Sequence, residues 1–150
     1  MRRRLLPALL LAALPLPAAA QATPEGLALA RDYVAQHRGT LPDLRGLVLG
    51  AAGDGSGTEA AALRAAIDAE LTTAEPAYRE AMAAALAEGL SQEALRSALA
   101  DGSIRAAIRA SPNAARLIGT LNRLTFEAVT GMAERALQRG CPSGEACDRR

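Results

Sequence analysis

Residues 111–140 read SPNAARLIGTLNRLTFEAVTGMAERALQRG. Ser111-Pro112 supplies a helix opening, and Leu117, Ile118, Leu121, Leu124, Ala128, Val129, Met132 and Ala136 then recur at helical intervals until Gly140. The spacing predicts one long helix that serves as the spine of the fold. Gly119 and Gly131 fall inside it, and each costs about 1 kcal/mol relative to alanine. A neighbouring helix is therefore expected to pack closely at both glycines, with a ligand groove beside them as the alternative reading.

Upstream of the spine, shorter helical segments are separated by capping signals. Ser103 opens one with Ile104, Ala107 and Ile108 on one side, and Asp101-Gly102 breaks the segment before it. That earlier segment starts at Ser91, an N-cap followed by Gln92 and Glu93, and turns Leu95 and Leu99 inward. Two capping boxes, Ser56/Glu59 and Thr72/Glu75, predict separate helices. The first carries the stripe Leu63, Ile67 and Leu71. The second carries Tyr78, Met82, Ala85 and Leu86, and ends at Gly89 with Leu90 closing its last turn. GAAGDGSG, residues 50–57, reads as a flexible spacer. Before it, Leu41, Leu44, Leu47 and Val48 have helical spacing. A first helix has Thr23 as N-cap and Pro24 at its first position, presents Leu27, Ala30 and Val34, and ends near His37.

Composition agrees with an all-α chain. Half of the 150 residues are hydrophobic, but alanine dominates that half, and the aromatic residues are Tyr33, Tyr78 and Phe126 alone. Alanine is the best helix former and buries little area, so the few larger hydrophobes must carry the packing. Runs of β-branched and aromatic residues, which favour strands, are nearly absent.

The N-terminus, MRRRLLPALLLAALPLPAAAQA, has the three parts of a secretory signal peptide. Arg2, Arg3 and Arg4 precede an apolar run from Leu5 to Leu16, and Ala20 and Ala22 supply the small residues of a cleavage site after Ala22. The run is shorter than the roughly 20 residues that span a bilayer, and Pro7, Pro15 and Pro17 interrupt it. The expected organisation is a signal peptide over 1–22, a single helical domain over 23–140 and a C-terminal tail over 141–150. Export, with the periplasm as the expected compartment, places Cys141 and Cys147 where thiols oxidise, so a disulfide is expected between them. Closing a loop of this size gives about 2 kcal/mol in the chain-entropy model, a local staple.

After cleavage, 14 arginines face 16 acidic residues, a net charge of −2, and lysine is absent. A nucleic-acid binder would rarely carry such a balance. The charge is uneven: residues 23–100 hold 6 arginines and 11 acids, and residues 101–150 hold 8 and 5. The basic half either attracts the acidic half or faces an outside anion, such as an acidic protein or an anionic envelope component. Arg105 and Arg109, and Arg116 and Arg123, are spaced to share a helix face within each pair, and these four are the candidate interaction surface.

Catalytic signals are weak. His37 is the single histidine, expected to be solvated near a helix C-terminus. Ser56 lacks the G-x-S-x-G context of a nucleophile elbow, and Asp54 to Gly57 lacks the donors of a calcium loop. Asp68 and Glu75 are expected to be solvent-face acids with unperturbed acidity. No catalytic, cofactor or metal site is expected.

Ser91-Gln92-Glu93-Ala94-Leu95 and Ser111-Pro112-Asn113-Ala114-Ala115-Arg116-Leu117 are helix-opening phrases. With them, residues 78–140 resemble the exported bacterial domain of unknown function 2059. Ile108 and Arg109 stand where that family has an aromatic pair, and alanine replaces its glycine after Ser-Pro. The resemblance implies an exported helical fold and carries over no activity. The expected function is a non-catalytic binding module, with an immunity or inhibitor protein and an envelope chaperone as alternatives.

Overall fold

The computed structural model describes residues 22–38, 41–53 and 57–140. Among them are the helices α1 (Pro24–Gln36), α2 (Leu44–Ala52), α3 (Gly57–Gly89), α4 (Gln92–Asp101), α5 (Ile104–Ala110) and α6 (Ala114–Gly140), and no strand. The all-α expectation and the long C-terminal helix both hold.

α3 and α6 lie antiparallel along their whole lengths. As α3 runs backward, α6 runs forward: Gly89 faces Leu117, Tyr78 hydrogen-bonds Thr125, Glu70 meets Arg135, and Leu63 backs onto Gly140. α1 packs on α3, α2 on α6 and α3, and α4 on α1. The core contains Tyr33, Val48, Leu63, Ile67, Leu86, Leu95 and Met132, with alanines filling the spaces between them. Alanine-lined contacts let backbones approach closely but bury little area for each contact.

Where two helices are expected over residues 56–89, one continuous helix runs from Gly57 to Gly89. The Thr72 hydroxyl donates to the Asp68 carbonyl at 2.9 Å, and Thr73 donates to Ala69 at 3.0 Å. A threonine bonded backward into its own helix does not open a new one. Pro76 lies inside α3 and has no N–H for the Thr72 carbonyl, but both residues are exposed, so water can take that acceptor.

The spacer is shorter than expected. Residues 50–52 belong to α2, which Gly53 terminates at φ +86°, and residues 54–56 lie outside the described residues. The start of α6 also differs, because Ser111 and Pro112 precede the helix. Ser111 Oγ donates to the Gly89 carbonyl at 3.0 Å and accepts from Asn113 N at 3.1 Å. The carbonyl of Asn113 then accepts the first helical bond, from Leu117. Ser111 thereby ties the end of α3 to the start of α6.

The caps at Thr23 and Ser91 match their spacing. Thr23 accepts from Gly26, and Ser91 from Ala94. Gly102 ends α4 in the left-handed conformation at φ +66°, which favours glycine. Ser103 makes no side-chain cap for α5; the buried Tyr33 hydroxyl accepts from Ile104 N instead, at 3.1 Å.

The glycines of α6 correct another expectation. Nothing stands within 4 Å of a Cβ placed on Gly119, and a Cβ on Gly131 would meet only the Arg135 side chain, at 3.1 Å. No neighbouring helix approaches either one. The close approaches are at Gly89, where a Cβ would stand 2.7 Å from Leu117 Cδ2, and at Gly140, where it would stand 3.0 Å from Leu63 Cα. Gly89→Ala is expected to cost about 1–3 kcal/mol by overpacking. Gly119→Ala should stabilise by up to about 1 kcal/mol through helix propensity. Urea unfolding midpoints shifted in opposite directions would check both.

Candidate functional site

A hollow lies between α4 and α5, where they cap one end of the α3–α6 pair. It encloses about 670 Å³. Leu95, buried on α4, holds that helix to the core, and Ile104 and Ile108 pack α5 against it. The sides the two helices turn toward the hollow carry Ala94, Ser97 and Ala98 on α4, and Ala106, Ala107 and Ala110 on α5. Side chains this short leave the space between the helices unfilled.

The polar groups of the groove are of one kind. Glu88, Glu93 and Asp101 line it, no arginine does, and Ser91, Ser103, Ser111 and Asn113 add neutral donors and acceptors. Asp101 already accepts from Ser97 Oγ at 3.2 Å. An apolar floor with carboxylates at its margin suits a partner having short apolar side chains and a positive charge.

A smaller cleft of about 310 Å³ opens between α1 and α3 beside Pro76. Its charges pair with one another. Arg31 grips Glu80 with a bidentate fork, Nε to Oε2 at 2.9 Å, and Arg79 pairs with Glu75 one turn away. The Arg31 guanidinium holds the Glu80 carboxyl below its ordinary pKa, chiefly by hydrogen bonding. Arg45 does the same to Asp68, with Nε to Oδ1 at 2.9 Å. Asp68 and Glu75 are thus arginine-paired, and the expectation of unperturbed acidity is corrected for Asp68. Burial raises the pKa of the Tyr78 hydroxyl, an effect opposed by its 2.9 Å hydrogen bond to Thr125.

The most buried ionic feature had no motif to announce it. The Glu70 side chain is 2% exposed on α3, with Arg135 Nε at 2.7 Å from Oε2 and Arg139 Nη1 at 2.6 Å from Oε1. Its only sequence signal is an acid three residues after Ile67 on the buried stripe, with two arginines one turn apart on the spine.

Arg105 and Arg109 are exposed on α5, on the side away from the groove, and Arg116 and Arg123 are exposed on α6. Arg123 lies 4.0 Å from Glu127. The four therefore occupy two separate helices and none lines the groove. His37 caps α1, half-buried rather than solvated, its ring 4.8 Å from that of Tyr33. Ala22 packs against the core, whereas Ala20, Cys141, Cys147 and Ser56 lie outside the described residues. Among the described residues, no cluster of three metal-ligating side chains occurs, and no helix is long and apolar enough to cross a membrane. Searches of family models, curated proteins and solved structures find no match to this chain.

Two predictions follow from the ion pairs. Arg135→Gln with Arg139→Gln leaves the buried Glu70 carboxylate without compensation and is expected to cost about 3 kcal/mol. Glu70→Gln should cost less, since both arginines are about half exposed and stay hydrated. Chemical denaturation of the three proteins checks the order. The pairs of Asp68 and Glu80 have folded pKa values below their unfolded ones. Their stabilisation is therefore present above the ordinary carboxylate pKa and lost as pH falls through the depressed values. Arg45→Gln should show a small deficit in urea midpoint at pH 7 that shrinks below about pH 4, and both partners are solvated enough that salt should shrink it too.

Proposed function

We propose that the protein is an exported, non-catalytic binding module that seats a cationic segment of a partner protein in the α4–α5 groove. One observation carries this reading: the α4–α5 hollow, of about 670 Å³, has an alanine floor, three carboxylates and no arginine. Asp68 and Glu75 on α3 are paired with arginines, which favours a structural use for them. The leader-like N-terminus supports export, with the periplasm as the proposed compartment, and the resemblance of residues 78–140 to an exported helical family agrees with that.

The probe is a helical peptide of alternating alanine and arginine, with a glutamate counterpart as control, followed by fluorescence anisotropy. The arginine peptide should bind and the control should not. Glu93→Gln with Asp101→Asn should weaken binding about tenfold, and Ala94→Trp, which fills the floor, should abolish it. Equal binding of both peptides, or indifference to all three substitutions, overturns the reading.

The exposure of Arg105 and Arg109 on the far side of α5 favours a second reading, an anionic protein or envelope component held on that side. Arg105→Glu with Arg109→Glu would then remove binding to anionic vesicles, while the groove variants left it unchanged.

A further inference from the structure

The leader motif sets its cut between Ala22 and Thr23, and the fold begins at that same bond. Thr23 is extended, at φ −73° and ψ 152°, and caps α1: its Oγ1 accepts from Gly26 N at 3.0 Å, and its carbonyl accepts from Leu27 N at 2.9 Å. The same Oγ1 accepts from Gln92 Nε2 of α4 at 2.9 Å. Glu25 pairs with Arg96, one turn further along α4. Gly26 is buried, and a Cβ on it would stand 3.1 Å from Thr23 Oγ1 and 3.9 Å from Gln92 Cγ. On the leader side of the bond, Ala22 is half-buried and packs against the core. Residues on both sides of the bond are thus engaged in the folded protein.

We infer that the fold locks this processing site: with residues 1–22 the leader proposed above, the Ala22–Thr23 bond is cut before α1 docks on α4 and resists cutting afterwards. A peptidase needs several residues around the scissile bond free to enter its cleft. A segment held by packing and hydrogen bonds gives them up only through local unfolding. Here entry requires pulling Ala22 from the core, breaking the Gln92 bond and fraying the first turn of α1. Cutting of the folded chain is then limited to the fraction of molecules open at that end.

Chain order supplies the unlocked interval. The cap within α1 is local, but a helix of 13 residues is marginal by itself in water. The contacts that hold its start come from much later in the chain: Gln92 stands 69 residues after Thr23, and Arg96 71 after Glu25. A chain that crosses a membrane unfolded, from its N-terminal end, offers the bond before α4 arrives. A chain carried across already folded presents the bond locked and keeps its leader. Early cutting takes little from the mature domain, because each hydrogen bond named above belongs to Thr23 or to residues beyond it, and only the packing of Ala22 is lost.

The test presents the full chain, folded without export, to signal peptidase in detergent micelles, beside a synthetic peptide of residues 5–32 that carries the same bond undocked. Mass spectrometry follows the appearance of chains that begin at Thr23. The peptide should be cut after Ala22, and the folded chain at least about tenfold more slowly. Gln92→Ala with Arg96→Ala leaves the sequence around the bond untouched, and neither residue is buried. This double substitution should speed cutting of the folded chain about fivefold, with an unchanged circular dichroism spectrum. Equal rates for peptide and folded chain overturn the lock and leave the leader standing. A peptide that is not cut after Ala22 overturns the leader itself, and the lock with it. A slowly cut folded chain that is indifferent to the double substitution overturns the part given to α4.

Discussion

The register of α3 against α6 is the constraint from which the rest of the molecule hangs, and the buried Glu70 carboxylate is the group least tolerant of a change in it. Alanine-rich faces slide past one another with little penalty, because one alanine packs much like the next. A carboxylate between two arginines does not slide. Shifting α6 by one turn would take Arg135 or Arg139 out of reach and leave the buried charge with a single partner, which is costlier than any single alanine contact. The Tyr78–Thr125 hydrogen bond, the Ser111–Gly89 bond and the fit of Leu117 over Gly89 then hold the same alignment toward the other end.

With the pair aligned, arginines add to the placement that buried side chains give three of the remaining helices. Arg45 ties α2 to Asp68 on α3, Arg31 ties α1 to Glu80 on α3, and Arg96 on α4 reaches Glu25 at the start of α1. Each pair is exposed and individually weak, but the forked guanidinium adds geometry that an alanine face lacks. Part of the charge imbalance between the two halves of the chain is also absorbed inside the fold, since Glu70 belongs to the acidic half and both of its arginines to the basic half. Arg105, Arg109, Arg116 and Arg123 lie beyond that internal settlement.

Helix content and most boundaries were legible because caps and breakers are local. Thr23, Ser91 and Gly102 act where their chemistry places them, on neighbours a few residues away. The errors occurred where a local signal met a long-range one. Thr72 has the spacing of a capping box, yet its hydroxyl bonds backward into a helix that Tyr78 and Glu70 hold straight against α6. Gly119 and Gly131 looked like contact points because glycine costs helix stability, but which face of the spine meets α3 depends on partners the sequence does not name. For the same reason the α4–α5 groove was invisible: Ala94, Ala98, Ala106 and Ala110 read as helix formers, and only the tertiary arrangement turns them into a floor.

Small side chains therefore act in two opposite ways in this fold. Where a helix is pulled in by a large neighbour, as Gly89 is by Leu117 and Gly140 by Leu63, they permit close contact. Where the helices are anchored on their other sides, as α4 is by Leu95 and α5 by Ile104 and Ile108, the same alanines leave a hollow. On α6 both cases follow one another along a single face, with Ala133 and Ala136 sealed and Ala115 and Gly119 open around Phe126. A chain with so few large hydrophobes gains most by burying each of them. Its one phenylalanine, 70% exposed on the open side, is a large side chain that forgoes most of that gain.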